Sequence, residues 1–138
     1  MTYAGDLPPM EVYRLLRDDP TAVLVDVRTE AEWAYVGVPD LSLLDRTIAC
    51  IEWTSFPDGA PNPRFLDQLA EAGVQPGTPV AFLCRSGVRS AAAADLATAN
   101  GLGPAYNVTD GFEGPPDDAG HRGGRAGWKA SGLPWRQT

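Results

Sequence analysis

In the stretch "CRSGVRS", a thiol at Cys84 is followed by Arg85, Ser86, Gly87, Val88, Arg89 and Ser90. Cysteine is nucleophilic as the thiolate, and nearby cations or converging amides favour that form over the thiol. Arg85 and Arg89 each offer a planar fork of donors that suits a tetrahedral oxyanion. Gly87 allows positive φ or close backbone approach in the middle of the run. The combination points to covalent chemistry on sulfur with a small anion as substrate.

Such a run works only if rigid elements aim it. Upstream, "PVAFLC" reads as a strand; downstream, "SAAAADLATANG" reads as a helix from about Ser90, with Gly101 placed to stop it. In an open parallel sheet, ligands bind beyond the carboxyl ends of strands, where loops lead into helix N-termini. Cys84 falls at that place. Amides from Arg85 to Ser90 are expected to converge as an anion cradle, with the helix adding partial positive charge, so that the nucleophile is ready near neutral pH.

The rest of the chain supplies the frame. "PPMEVYRLLRDDP" predicts a short helix with Val12, Leu15 and Leu16 inward, ending before Pro20. "AVLVDV" (Ala22 to Val27) is too short for a helix and reads as a strand covered on both faces. Thr29 and Glu32 have capping-box spacing for the helix that follows. "TIACIEW" (Thr47 to Trp53) is a second strand candidate, "NPRFLDQLAEAG" a helix capped by Asn62, and "AYNV" (Ala105 to Val108) a further strand. "GWKASGLPW" predicts a short closing helix anchored by Trp128. The expectation is a single α/β domain, with a mostly parallel central sheet of four to five strands and helices on both faces.

Composition narrows the partners. With 138 residues and a formal charge of -7, the chain suits one domain, and its field repels nucleic acid and anionic membranes in bulk. No signal-peptide pattern and no long apolar run occur, so a cytoplasmic location and no membrane partner are expected. Two cysteines, Cys50 and Cys84, in different contexts argue for free thiols rather than a disulfide scaffold.

Spacing separates the candidate chemistries. A Cys-x5-Arg loop holds phosphate in line with sulfur, whereas here Arg89 closes the run one residue earlier and Ser90 follows. The narrower loop suits a single extra sulfur atom and disfavours a Cys-based phosphatase or arsenate reductase.

The chain resembles the single-domain rhodanese-like sulfurtransferases in "LVDVRTEAEW" (Leu24 to Trp33), "CRSGVRS" and "GWKASGLPW", in order and spacing over residues 7–136. The resemblance implies that Cys84 attacks the outer sulfur of a donor such as thiosulfate and becomes a persulfide. Cyanide or a thiol then takes that sulfur, with no metal or organic cofactor. Arg85, Ser86, Gly87, Val88, Arg89 and Ser90 correspond to the substrate-binding loop. The alternative within the same chemistry is a persulfide carrier that hands sulfur to a relay protein in cofactor or tRNA thiolation. Where family members often have a Gly-His-Ile-Pro turn, this chain has "VGVPDL" (Val36 to Leu41), so no histidine takes that place.

Several residues have simpler explanations. Cys50, among Ile48, Ala49 and Ile51, is expected to pack in a strand. Asp26 and Arg28 are candidates to brace the loop, and Thr29 with Glu32 reads as a helix cap. His121, the only histidine, reads as a solvated loop residue and not a metal ligand. The Gly- and Pro-rich segment from Gly114 to Gly127 is either a passive excursion or a lid bringing Arg122 and Arg125 to the pocket. The four tryptophans read as packing.

Overall fold

The structure, a computed structural model, describes residues 3–54, 59–124 and 126–137. The elements in chain order are β1 (Gly5–Leu7), α1 (Pro9–Asp18), β2 (Val23–Asp26), α2 (Glu30–Tyr35), β3 (Val38–Pro39), β4 (Ala49–Cys50), α3 (Phe65–Glu71), β5 (Pro76–Leu83), α4 (Val88–Ala99), β6 (Gly103–Val108) and β7 (Trp135–Arg136). Five strands form one parallel sheet in the order β1-β6-β5-β2-β4, and β3 pairs antiparallel with β7 apart from it. This is the α/β class expected from the alternation of strands and helices.

Each face of the sheet has its own core. On one, Phe65 and Leu69 of α3 and Ala93, Ala94 and Ala97 of α4 pack against Val25, Val80 and Phe82. The small alanines let α4 lie close to the strand that carries the candidate nucleophile. On the other, Val12 and Leu16 of α1 join Leu24, Leu83, Val108, Phe112 and Trp128. Burial of this kind contributes roughly 1.5–3 kcal/mol for each large apolar side chain.

Local chemistry explains the helix starts. The Thr29 side chain accepts from the Glu32 amide while the Glu32 carboxylate accepts from the Thr29 amide, the capping box its spacing predicts. Asn62 Oδ1 accepts from the Arg64 amide at 3.0 Å, so it orders the turn before α3. The helix itself begins at Phe65 with Arg64 at its N-cap, so Asn62 is not its cap and Pro63 lies before its first turn, contrary to expectation.

Three further expectations need correction. Thr47 to Trp53 is not a continuous strand: only Ala49–Cys50 joins the ladder, and Cys50 is exposed. As the outermost strand, β4 has one paired neighbour, and its Cys50 faces out while Ile51, just past the strand, is buried in the core. The helix after Cys84 begins at Val88 rather than near Ser90, placing Arg89 and Ser90 in its first turn. The closing "GWKASG" forms turns instead of a helix, with Gly127 and Gly132 at φ 97° and 76°. Trp128 is nonetheless fully buried, and its Nε1 donates to the Pro134 carbonyl at 2.8 Å.

Candidate active site

Cys84 follows the last residue of β5, the strand held between β2 and β6. Its residue surface is 1 % exposed. Gly87, at φ 118°, brings its amide to donate to Sγ at 3.1 Å. Ser90 Oγ, from the first turn of α4, lies 3.2 Å from the same sulfur. Strand end, amide and helix start thus meet at one atom.

The loop is held from behind by the segment after β6. Phe112 donates its amide to the Cys84 carbonyl at 2.8 Å, and the Glu113 and Gly114 amides donate to the Arg85 carbonyl at 3.0 and 3.1 Å. Drawing these carbonyl oxygens outward keeps them from facing the sulfur. Gly111 makes the approach feasible: a Cβ there would lie 2.3 Å from the Cys84 carbonyl oxygen, and its φ is 59°. The Asp110-Gly111 pair after a strand was the available sequence signal for this support.

Arg89 and Arg85 part company. Arg89 forks onto Glu32, Nη1 to Oε1 at 2.7 Å and Nη2 to Oε2 at 3.0 Å, joining α4 to α2. Burial pushes the Glu32 carboxyl up, but the hydrogen bonds and charge of Arg89 outweigh it and hold the group below its ordinary range. Arg89 is in turn raised, chiefly by its hydrogen bonds with Glu32. Arg85 is exposed, and its side chain has no hydrogen-bond or ion-pair partner among the described residues. A cavity of about 560 Å³ opens beside the loop, lined among others by Thr29, Glu32, Tyr35, Arg85, Arg89 and Glu113. Ser86 is half-buried, and Val88 is 80 % exposed.

Asp26 and Arg28 lie beneath the loop, both fully buried. Arg28 Nε and Nη2 donate to Asp26 at 2.9 and 2.6 Å, and Nη2 also donates to the Gly37 carbonyl at 2.6 Å. Nη1 has no hydrogen-bond partner, and the guanidinium rests over the Phe112 ring at 4.3 Å. Since the Phe112 amide holds the Cys84 carbonyl, the pair props the loop through Phe112, away from the cavity.

A polar line leaves the sulfur on the other side. Ser90 Oγ donates to Asn107 Oδ1 at 2.6 Å, Asn107 Nδ2 donates to Asp6 Oδ1 at 3.0 Å, and the Tyr3 hydroxyl donates to that oxygen at 2.8 Å. Sequence reasoning missed Asn107 and Asp6, as well as the second partner of Glu32. These residues meet only across the sheet or between helices, so no local spacing marks them.

The long segment closes on itself. Asp117 Oδ1 accepts from the Ala119 and His121 amides, while Arg122 donates to the Gly114 carbonyl at 2.7 Å and the Gly123 amide to the Glu113 carbonyl. His121 is exposed, and no metal-binding group of His, Cys, Asp and Glu occurs among the described residues. Arg125 lies outside the described residues. Among them, no helix is long and apolar enough to cross a membrane.

Comparison with known proteins places the chain among similar ones. The family model described as the STR4 middle domain matches residues 7–138. The crystal structure of Rv0390 from M. tuberculosis is 55 % identical, with a TM-score of 0.90, covering 99 % of this chain and 100 % of that one. The uncharacterized protein RC0915 of Rickettsia conorii is 37 % identical over 91 % of this chain and 92 % of its own length. A chloroplast protein of Oryza sativa subsp. indica, Protein THYLAKOID RHODANESE-LIKE, is 34 % identical over 95 % of this chain, which spans 25 % of that larger protein.

Proposed function

The chain belongs to the rhodanese-like family, whose likeness supports sulfurtransferase-type function, and from that premise we propose that it transfers a sulfane sulfur through a persulfide on Cys84. The donor is thiosulfate or a similar small anion, and the acceptor is cyanide or a thiol. The observation that carries this reading is the enclosure of Cys84, with the Gly87 amide on its sulfur at 3.1 Å and the start of α4 beside it. A donor N–H at that place stabilises negative charge on the attacking sulfur and on the persulfide.

The reaction is two displacements. The Cys84 thiolate attacks the outer sulfur of thiosulfate; the donor S–S bond breaks, and its electron pair leaves with sulfite. The acceptor then attacks the outer sulfur of the persulfide, that S–S bond breaks, and the thiolate returns. This chemistry takes no metal and no organic cofactor, and we assign it to the cytoplasm.

Arg85, which lines the cavity and whose side chain has no partner among the described residues, draws the anionic donor. Arg89 holds the loop through Glu32. A cavity of about 560 Å³ exceeds what thiosulfate or cyanide needs, which favours a thiol with an organic body, or the cysteine of a relay protein, as acceptor.

Intact mass after incubation with thiosulfate is expected to rise by one sulfur atom, and Cys84→Ser to abolish both adduct and turnover. Absence of an adduct with every sulfane donor tested overturns the proposal.

A further inference from the structure

The polar line behind Cys84 has a direction. Its members sit on three elements, Ser90 on α4, Asn107 on β6 and Asp6 on β1, and the last two are registered partners in the sheet. An ionised carboxylate can only accept hydrogen bonds. Asp6 therefore takes the amide NH₂ of Asn107, turning the Asn107 carbonyl oxygen toward Ser90. The Ser90 hydroxyl has one proton, and at 2.6 Å that carbonyl takes it. Ser90 then has only lone pairs for the sulfur 3.2 Å away, so the proton between Sγ and Oγ belongs to the thiol. The Asp6 hydrogen bond also holds the Tyr3 phenol above its ordinary value, keeping it a donor to the same carboxylate.

We propose that Asp6, acting through Asn107, is a positioning residue that makes Ser90 an acceptor and so holds Cys84 as the thiol at rest. When that proton passes to a base in solvent, the Ser90 hydroxyl turns about its Cβ–Oγ bond. It gives up Asn107 and donates to the sulfur beside the Gly87 amide. The line thus opposes the loop: the loop favours negative sulfur, and the line delays it. Ser90 and Asn107 are buried, so water does not readily come between them, while Asp6 at the outer end of the line is exposed.

The inference rests on Cys84 being the nucleophile, but its test needs no sulfur donor. The rate of Cys84 alkylation by iodoacetamide is measured by peptide-resolved mass spectrometry, which separates it from Cys50, in the wild type, Asp6→Ala, Ser90→Ala and the double variant. Removing the carboxylate frees the Asn107 amide to turn and Ser90 to donate to sulfur, so Asp6→Ala is expected to raise the rate at neutral pH by about three- to tenfold. The alkylation profile moves to lower pH with it. In the Ser90→Ala background the same substitution is expected to change nothing. An unchanged rate in Asp6→Ala overturns the proposal. So does an equal increase with and without the Ser90 hydroxyl, because the carboxylate then acts by charge alone. Failure of the persulfide reading appears separately, as a missing sulfur adduct in a protein whose alkylation still responds to Asp6.

Discussion

Arg89 and Glu32, 57 positions apart in the chain, face each other as a two-pronged ion pair at 2.7 and 3.0 Å. The arginine that closes the candidate catalytic loop is therefore bound to a carboxylate of the protein's own. The same carboxylate closes the capping box of α2, so one side chain joins the start of that helix to the loop. Glu32→Gln is expected to release the Arg89 fork toward the cavity and lower the KM for thiosulfate by about three- to tenfold. Initial rates over a range of donor concentration check this.

The same pair makes stability depend on pH with a definite sign. The Glu32 carboxyl is held below its ordinary value of 4.5 in the folded protein. Its contribution is therefore complete above that value and disappears as pH falls through the lower folded value. The stability difference between wild type and Glu32→Gln, measured by urea unfolding, is expected to be largest near neutral pH and to shrink in acid.

Gly111→Ala tests the support behind the loop. The added Cβ would meet the Cys84 carbonyl oxygen at 2.3 Å in a backbone at φ 59°. Relief requires moving the residue that carries the sulfur. The expected outcome is a loss of at least about 2 kcal/mol by denaturant unfolding, with a larger loss of sulfur transfer than the unfolded fraction explains.

Arg28→Met leaves Asp26 charged and buried without its partner. Breaking a fully buried pair in this way costs about 3–5 kcal/mol, and here it also removes the cation from the Phe112 ring. Asp26→Asn combined with Arg28→Met is expected to be less destabilising than Arg28→Met alone. Thermal unfolding of the two variants decides this.

Cys50 is expected to stand outside the chemistry. Partial burial, ahead of the nearby Asp26 carboxylate, pushes its thiol up to about 12. The residue keeps exposed surface, and solvent screening limits that rise. Cys50→Ala should leave sulfur transfer within about twofold of wild type. Alkylation of Cys50 should become fast only in strongly alkaline solution.

Local order was legible in the sequence because short-range rules govern it. The run Val80 to Cys84 was long and apolar enough to be a buried strand, Thr29 and Glu32 had the spacing of a cap, and the Cys84 to Ser90 stretch carried its own chemistry. Pattern alone misjudged Cys50, because whether a strand is covered on both faces depends on its place in the sheet, and β4 is at the edge. The closing segment was misjudged for a related reason: burial of Trp128 and pairing of β7 with β3 decide its path more than the helix preference of its few residues.

The sequence by itself determined the α/β layering, the candidate nucleophile and the spacing of the loop after it, since each is set by residues within a few positions of one another. The tertiary structure decided which arginine is bound to a carboxylate of the chain and which has no side-chain partner among the described residues, what holds the loop carbonyls, and which groups line up behind Ser90. Those outcomes depend on partners that lie far apart in the chain, Glu32, Phe112, and Asn107 with Asp6. Hydrogen-bond direction and ion pairing act over a few ångströms of space, and folding alone brings these groups that close.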